Sequence, residues 1–428
     1  MTDVPYAALP AANRRSGDRR ADREYDRALR VLAWVAGAVT VVLFAGLMMQ
    51  LVTEPGGTNS YANLAEAFLN GRLDVAACFD IDCAVYDGRT YIVFPPAPAV
   101  LAMPFVAVFG TSFAGFIALA TVLSAVSLLV WWRVLSRMSV ERTTAAWILI
   151  ALAVGTPLYF VTIRGDGVWF LAQVTAFLFS SLAVWAVIER RSLWLVGAFV
   201  GVAFLSRQMT ILLVPFLYAL WLRQDEKLFA FDRERLLAIA KVALPILGAV
   251  AIYMAYNYFR FGSPLDTGYD YIATPLADRT IITERAEGIG LFSPDYFLFN
   301  LFYFLVQGFH VDFVGTYQTT IGGMDRFGTS LLAASPFVVL LVFAPLRRPL
   351  VIGGLCVLAM TLPMMIYHSN GYSQFNVQRY VLDWMPVLIV ALAMTVKRQL
   401  LPPFAVLVTW AAGLTAITSA VAFIGTAA

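Results

Sequence analysis

The sequence has few charged residues, few histidines and few cysteines. Only 13% of its 428 residues are charged, whereas 60% are hydrophobic, and the mean hydropathy is +0.76. So few charges exclude a soluble domain, which could not cover that much apolar surface. The net charge of +3 is small and spread along the chain, which excludes a nucleic-acid-binding footprint. Two histidines and three cysteines are too few for a Cys/His metal cluster. No sequence motif therefore supports a bound divalent metal, although one is not excluded.

Long apolar runs with short basic clusters between them fill most of the chain. The first run, 31–53, has no charged residue and follows a basic tail, 1–30, that carries seven arginines. No small-residue cleavage site follows this run, so we expect a signal anchor whose tail stays in the cytoplasm. Keeping the later basic clusters on the same side predicts about eleven transmembrane helices and an outer C-terminus. The predicted spans are 31–53, 113–132, 144–163, 168–188, 192–206, 209–222, 236–258, 328–346, 349–367, 384–396 and 401–424.

Polar segments interrupt this pattern on the predicted outer side. They cover 54–112, 259–327 and 368–383. Prolines interrupt the apolar stretch 94–109, which predicts a re-entrant or interfacial helix. Ser293-Pro294 supplies a cap and a first-turn proline for another interfacial helix over 297–309. The chain is thus predicted to be an all-α polytopic membrane protein, in which a cytoplasmic tail precedes one transmembrane domain, 31–428.

The first outer segment combines an amphipathic helix with a run of carboxylates. Apolar residues recur at helical spacing before Gly71, at Tyr61, Leu64, Ala65, Phe68 and Leu69. Placed directly after a span, such a helix should lie in the membrane interface. The acidic residues that follow are Asp74, Asp80, Asp82 and Asp87, just before Arg89. Carboxylates and an arginine at the water–lipid boundary could handle an acceptor hydroxyl and an anionic donor, and the alternative is a solvated acidic loop.

Two cysteines flank Asp80 and Asp82 in this segment. Cys78 and Cys83 could form a small disulfide if the segment faces an oxidising compartment, or they could remain two free thiols. Both interpretations stay open. Cys356 lies in an apolar run and is expected in the core.

Stretches in the three outer segments resemble one enzyme group. They are TNSYANLAEAFLNGRLDV (58–75), DIDCAVYDGRTYIVFPPAPAVLAMPFVAVFG (80–110), NYFRFGSPLDTGY (257–269) and NGYSQFNVQRYVLDWMPVLIVALA (370–393). They resemble bacterial GT-C-fold glycosyltransferases that use sugars attached to polyprenyl phosphate. Relatives in that group include protein O-mannosyltransferases and lipid A aminoarabinose transferases. The resemblance implies a GT-C-like bundle in the inner membrane, with its active site on the outer face.

The resemblance also implies site residues. Many members place an acid at the start of the first interfacial helix, where this chain has Asn59, which cannot act as a base; the nearest acid is Glu54. Members with the YDG variant of the loop carry an aspartate four residues before the tyrosine, which corresponds to Asp82 before Tyr86. Asp82 is therefore the first candidate for the catalytic acid/base, and Asp80 is the second. Substrate contacts are expected from Asn59, Tyr86, Tyr269, His310 and Tyr380.

Arginines are the expected ligands of the donor phosphate, because the planar guanidinium binds phosphate oxygens in bidentate fashion. The candidates are Arg379, Arg207, Arg260 and Arg89. Three of them have a structural alternative. Arg379 could pair with Asp383 one helical turn away, Arg207 could be a snorkelling anchor, and Arg260 could belong to an aromatic belt.

The sequence therefore predicts an integral membrane glycosyltransferase. Its partners would be a polyprenyl-phosphate sugar donor, an acceptor that is an envelope glycan, lipid or protein, and the bilayer. One alternative is a flippase or exporter of a lipid-linked intermediate, which a continuous polar path through the bundle would favour. Another is a polysaccharide polymerase, which is expected to have a larger arginine-rich outer loop.

Overall fold

The computed structural model describes residues 16–80, 82–223, 225–230, 232–272, 274, 278–370 and 378–427, with the backbone alone for 16–23 and 423–427. The α-helices in these residues are α1 (Ser16–Thr53), α2 (Ser60–Leu69), α3 (Ala97–Phe109), α4 (Phe116–Arg137), α5 (Arg142–Val154), α6 (Pro157–Ile163), α7 (Val168–Ile188), α8 (Leu193–Phe204), α9 (Val214–Trp221), α10 (Arg233–Phe261), α11 (Ile281–Gly288), α12 (Phe297–Leu305), α13 (Leu331–Ala334), α14 (Arg348–Met365), α15 (Met385–Thr395) and α16 (Leu401–Ala427). Short 3-10 segments lie at Gln208–Leu213, Tyr269–Tyr271, Pro294–Tyr296, Pro336–Phe343 and Arg379–Asp383.

Two antiparallel hairpins correct the all-α prediction. Strand β1 (Cys83–Tyr86) pairs with β2 (Arg89–Ile92), and β3 (Val311–Val314) pairs with β4 (Thr320–Met324). Asp87 and Gly88 form the tight turn of the first hairpin, both with positive φ (48° and 71°). An Asp-Gly pair in that conformation is a strong local hairpin signal.

Six helices in the described residues are long and apolar enough to cross a membrane, or seven if the bent pair α5–α6 is one span. Helical elements occupy all eleven predicted runs, but several are shorter than a bilayer crossing, so the count of eleven spans is not confirmed. Prolines account for some breaks. Pro157 starts α6 after a bend of 48°, and Pro336 opens the 3-10 segment that follows α13.

The basic clusters meet at one end of the bundle, here called the basic end. Contacts between distant parts of the chain show this: Arg133 with Glu189 at 2.6 Å, Arg348 with the backbone carbonyl of Arg223, and Tyr25 with the backbone carbonyl of Arg398 at 2.9 Å. The polar segments meet at the opposite end, called the loop end, where α2, α3 and both hairpins lie. The assignment of the basic clusters to the cytoplasmic side and of the polar segments to the outer side stays a prediction.

Helix α7 lies at the centre of the bundle and is buried along most of its length. It packs against α4 and α8, and α8 packs in turn against α10. The last contact requires glycine. A Cβ atom at Gly197 would lie 2.3 Å from the backbone oxygen of Val242, so only glycine allows the two helices to approach this closely.

The interfacial helices are formed, but α2 is more buried than predicted. Tyr61, Leu64 and Ala65 are buried as the periodicity indicates, whereas Leu69 is 44% exposed. The polar residues Ser60 and Asn63 of α2 are buried too, because α3 and residues 77–80 pack around the helix. A helix also forms in the predicted range 297–309, as α12, but it ends at Leu305. The Ser293 hydroxyl accepts a hydrogen bond from the Asp295 amide and so caps the 3-10 segment Pro294–Tyr296 that leads into α12.

Candidate functional site

The acidic loop, residues 77–80 and 82–83, is held against the start of α2. The Ser60 hydroxyl accepts hydrogen bonds from the amides of Phe79 and Asp80, both at 3.2 Å. The Ser60 amide donates to Oδ2 of Asp80 at 3.2 Å, and Nδ2 of Asn63 donates to the backbone oxygen of Ala77 at 2.6 Å. Cys78 and Cys83 are joined in a disulfide that closes the loop, which resolves the two sequence interpretations in favour of the bridge.

Asp80 and Asp82 are partly buried, and burial raises the pKa of both carboxyl groups. The pKa of Asp80 rises to about 6, against the lowering effect of its hydrogen bonds with Ser60. Asp82 accepts a hydrogen bond of 2.7 Å from the indole nitrogen of Trp169, on Oδ2. That bond and the positive charge of Arg379 oppose the effect of burial and favour the ionised form of Asp82. The two carboxyl groups interact with each other electrostatically.

Two arginines lie at the same end of the bundle. Nε and an NH2 group of Arg207 donate to the two carboxylate oxygens of Asp383, at 2.6 and 2.7 Å. The guanidinium of Arg379 lies over the ring of Phe170 at 5.1 Å and over that of Tyr380 at 5.2 Å. Tyr380 also faces Arg207, at 5.1 Å, so both guanidinium groups share one aromatic ring.

The alternative in which Arg379 pairs with Asp383 does not fit the backbone conformation of this segment. Residues 379–383 form a 3-10 segment, in which residues three apart eclipse and residues four apart do not face each other. Asp383 therefore turns to Arg207, which is 176 positions away in sequence. Sequence spacing alone could not identify this partner.

Tyr269 and Tyr380 complete the group around the carboxylates. Burial raises the pKa of the Tyr269 phenol, and the charge of Asp82 raises it further. The positive charge of Arg207 acts on Tyr269 in the opposite direction. Among the predicted site residues, the structure brings together Asp80, Asp82, Arg207, Arg379, Tyr269 and Tyr380.

Arg260 and Asn59 occupy structural positions. The Arg260 guanidinium donates to the backbone oxygen of Ile92 at 2.6 Å and to the Asn257 side chain at 2.7 Å, and it stacks over Tyr256 at 3.6 Å. Asn59 is fully buried and caps α2 by accepting from the Tyr61 amide at 2.9 Å, while its Nδ2 donates to the backbone oxygen of Gly165. These contacts use the polar groups that we expected to meet the substrate.

Three other predicted residues lie at the periphery. Arg89 is exposed at the tip of the β1–β2 hairpin, 4.0 Å from Asp74. His310 is exposed beside the β3–β4 hairpin, 3.2 Å from Asp312. Tyr86 packs its ring against Tyr271 at 4.6 Å. Of the late outer segment, residues 371–377 lie outside the described residues.

Glu54, the acid nearest to Asn59, has a structural role. Its two carboxylate oxygens accept hydrogen bonds from the amides of Phe116 and Ile117, at 2.7 and 3.0 Å. These amides belong to the first turn of α4, which has no intrahelical acceptors for them, so Glu54 caps this helix. Burial raises the pKa of its carboxyl group while these bonds lower it.

Trp169 and Ser60 were missed by the sequence predictions. Trp169 lies at the start of α7, 87 positions from its partner Asp82. No local sequence signal indicates that its indole nitrogen donates to a carboxylate. Ser60 follows the helix cap, which is a signal for local structure rather than for a distant carboxylate. Within the described residues, no three His, Cys, Asp or Glu side chains converge on a position that could hold a metal ion.

The fold and this site define a multi-span helical membrane protein with carboxylates and arginines gathered at the loop end. No protein-family model matches the chain, and no curated protein matches its sequence. Among solved structures, the chain is similar to ArnT from Cupriavidus metallidurans bound to undecaprenyl phosphate, with 15% identity, a TM-score of 0.49, and coverage of 92% of this chain and 76% of that one. It is also similar to ArnT in the apo state, with 12% identity, a TM-score of 0.46, and coverage of 91% and 76%.

Proposed function

We propose that this chain is an integral membrane glycosyltransferase. It moves a sugar from a polyprenyl-phosphate donor to a hydroxyl of a cell-envelope glycan, lipid or protein. The observation that supports this most is a carboxylate held by a neutral donor at the same end of the bundle as two arginines: Asp82 is hydrogen-bonded by Trp169, while Arg207 and Arg379 stack on Tyr380. Glycosyl transfer from a phosphate needs a base for the acceptor and cations for the leaving group.

Asp82 is the proposed base. Trp169 engages only Oδ2, so Oδ1 is the oxygen that takes the proton of the acceptor hydroxyl. As that proton leaves, the acceptor oxygen bonds to the anomeric carbon and the bond from that carbon to the phosphate oxygen breaks. The electron pair stays on the departing polyprenyl phosphate. Asp80 is the second candidate, but its Oδ2 is bound to the backbone of α2, which favours a supporting role.

Arg379 and Arg207 are the proposed phosphate ligands. The two guanidinium groups face the ring of Tyr380, at 5.2 Å for Arg379 and 5.1 Å for Arg207, which supports their binding one phosphate together. Asp383 holds Arg207 by two hydrogen bonds and fixes the direction of its remaining N–H groups. Arg260 and Arg89 are left out of this assignment because the first is engaged by protein groups and the second lies at the hairpin tip.

The site is proposed to face the outside of a bacterial inner membrane. Support comes from the basic end, because arginines and lysines concentrate at the cytoplasmic ends of spans. Cysteines introduced at Asp87 and Asp278 should then react with an impermeant thiol reagent added outside intact cells, whereas one at Ser139 should not. Labelling of Asp87 and Asp278 from opposite sides would contradict this orientation.

A binding and turnover experiment tests the function. The purified protein in nanodiscs would be titrated with undecaprenyl phosphate and with undecaprenol, which has the same chain and no phosphate. We expect binding of the phosphate alone, weakened about 10- to 100-fold in Arg379→Ala, and kept in Asp82→Asn. Labelled polyprenyl-phosphate sugars then test transfer. If the wild type moves the lipid across a bilayer without transferring sugar, the flippase alternative is correct.

A further inference from the structure

Tyr61 has a buried hydroxyl whose purpose the fold does not explain. The sequence places it on the apolar face of α2, and its side chain is indeed fully buried. Its ring packs beside Phe94, with centroids 6.4 Å apart. Yet within the described part of the chain the phenolic oxygen has no hydrogen-bond partner. Buried hydroxyls in native proteins are nearly always bonded, so an exception of this kind calls for a physical reason.

The surroundings of this hydroxyl supply the reason. Phe94, whose ring packs beside Tyr61, also packs against Trp169 at 6.2 Å, and Trp169 donates to Asp82 of the proposed site. The charges of Asp80 and Arg207 also influence the pKa of the phenol. The backbone explains this placement. The preceding residue, Ser60, binds the Asp80 carboxylate through its amide, so the start of α2 delivers both the carboxylate and the Tyr61 ring to one place.

Two other buried tyrosines show that this arrangement is particular to Tyr61. The Tyr159 hydroxyl donates to the backbone oxygen of Leu43 at 2.8 Å and so contributes to the fold. The Tyr256 hydroxyl is also without a hydrogen-bond partner among the described residues, but its charged neighbour is Arg260, which is held by backbone and Asn257. Only Tyr61 of these three combines an unmade hydrogen bond with the charges of Asp80 and Arg207.

We propose that the Tyr61 hydroxyl is a substrate-contact group that donates a hydrogen bond to a phosphate oxygen of the bound polyprenyl phosphate. This inference rests on the proposed function and adds a neutral donor beside the arginines. A phenol suits the position because it can donate to an anion without adding another positive charge next to Arg207 and Arg379. The group is kept at some expense of stability and is satisfied only when the ligand is bound.

The test is the isosteric substitution Tyr61→Phe, with Tyr256→Phe and Tyr159→Phe as matched controls. The probe is undecaprenyl phosphate, and the readouts are its affinity and the melting temperature of the ligand-free protein in nanodiscs. Tyr61→Phe should weaken binding about 10- to 100-fold, since it removes a hydrogen bond to a charged group, and should leave the melting temperature equal or higher. Tyr256→Phe should change neither quantity, and Tyr159→Phe should lower only the melting temperature.

Each other outcome has a definite meaning. If the wild type binds undecaprenyl phosphate and Tyr61→Phe binds it equally well, the inference is overturned and the proposed function stands. If Tyr61→Phe lowers the melting temperature of the ligand-free protein as Tyr159→Phe does, the hydroxyl stabilises the fold and the inference is overturned. If the wild type does not bind undecaprenyl phosphate, both the proposed function and the inference are overturned.

Discussion

Glu189 at the basic end and Asp82 at the loop end are both carboxylates with arginines nearby, yet their surroundings act on their pKa in opposite directions. Glu189 accepts hydrogen bonds from Arg133, Arg191 and Arg137, and these lower its pKa to about 2. At Asp82 burial is the largest influence and raises the pKa, while the Trp169 bond and the Arg379 charge only moderate it.

The difference teaches how the same residue types serve two purposes. At the basic end, arginines and carboxylate satisfy each other directly, which leaves neither available for another ligand. At the loop end, Asp82 is bonded by a neutral indole rather than by an arginine, and the arginines stack on Tyr380, so this carboxylate keeps no direct arginine hydrogen bond of the kind that Glu189 has.

The largest effect is expected for Asp82→Asn. An amide keeps the size of the side chain but cannot take a proton, so turnover should fall about 10²- to 10⁴-fold. Undecaprenyl phosphate binding and the melting temperature should stay near the wild-type values. Asp74→Asn is the matched control, because Asp74 lies in the same segment, partly exposed and 3.8 Å from Arg72, and should keep its turnover. Near-normal turnover of Asp82→Asn with a matched donor and acceptor would pass the role to Asp80.

Asp383 is expected to act through Arg207. Asp383→Ala should reduce undecaprenyl phosphate affinity about as much as Arg207→Ala, because the two side chains are joined by two short hydrogen bonds. A double-mutant cycle on affinity should give a coupling energy of about 1–3 kcal/mol for Arg207 with Asp383 and less than about 0.5 kcal/mol for Arg379 with Asp383. Equal coupling in both pairs would contradict the positioning role assigned to Asp383.

The disulfide should support the site more than it supports the bundle. Cys78→Ser together with Cys83→Ser should lower turnover about tenfold, because the loop that carries Asp80 and Asp82 loses its covalent closure. The melting temperature should change little, since Ser60 and Asn63 still hold the loop and the membrane helices are untouched. Cys356→Ser is the control for a thiol remote from the site. A large drop in melting temperature without loss of turnover would reverse this interpretation.

The smallest effect concerns the pH dependence of stability. Folding raises the pKa of Asp80 from its ordinary value of 3.8 to about 6, so the folded protein binds this proton more tightly than the unfolded chain does. The contribution of Asp80 to the free energy of unfolding therefore decreases as the pH rises from 3.8 to about 6. For Glu189 the contribution is present above its ordinary pKa of 4.5 and is lost as pH falls towards about 2.

Opposite changes in the melting curves test this pair. Asp80→Asn should raise the melting temperature at neutral pH and should remove the rise in melting temperature that mild acidification gives the wild type. Glu189→Gln should lower the melting temperature at neutral pH and should reduce the fall in melting temperature that strong acidification gives the wild type. Melting temperatures measured across the pH range in nanodiscs give both slopes. Parallel slopes for the two variants would show that the two carboxylates do not differ as described.

The sequence by itself determined the broad architecture. Apolar runs, basic clusters and the Ser293-Pro294 cap are local signals, because hydrophobic burial and helix capping depend on neighbouring residues. They located the helical runs and α12. They did not determine how many runs cross the membrane, because several helices that form in those runs are shorter than a bilayer crossing. The β1–β2 hairpin had a local signal in Asp87-Gly88, which was not used.

Tertiary structure decided the site. The pairing of Arg207 with Asp383, the bond from Trp169 to Asp82, and the meeting of Tyr61 with Asp80 and Arg207 join positions far apart in the chain or depend on how α2 packs. Tertiary structure also gives the polar groups of Asn59 and Arg260 partners within the protein, which argues against the substrate and phosphate contacts expected of them. The physical reason is that a side chain's chemistry depends on desolvation and on its hydrogen-bond partners, and both are fixed only when distant segments pack together.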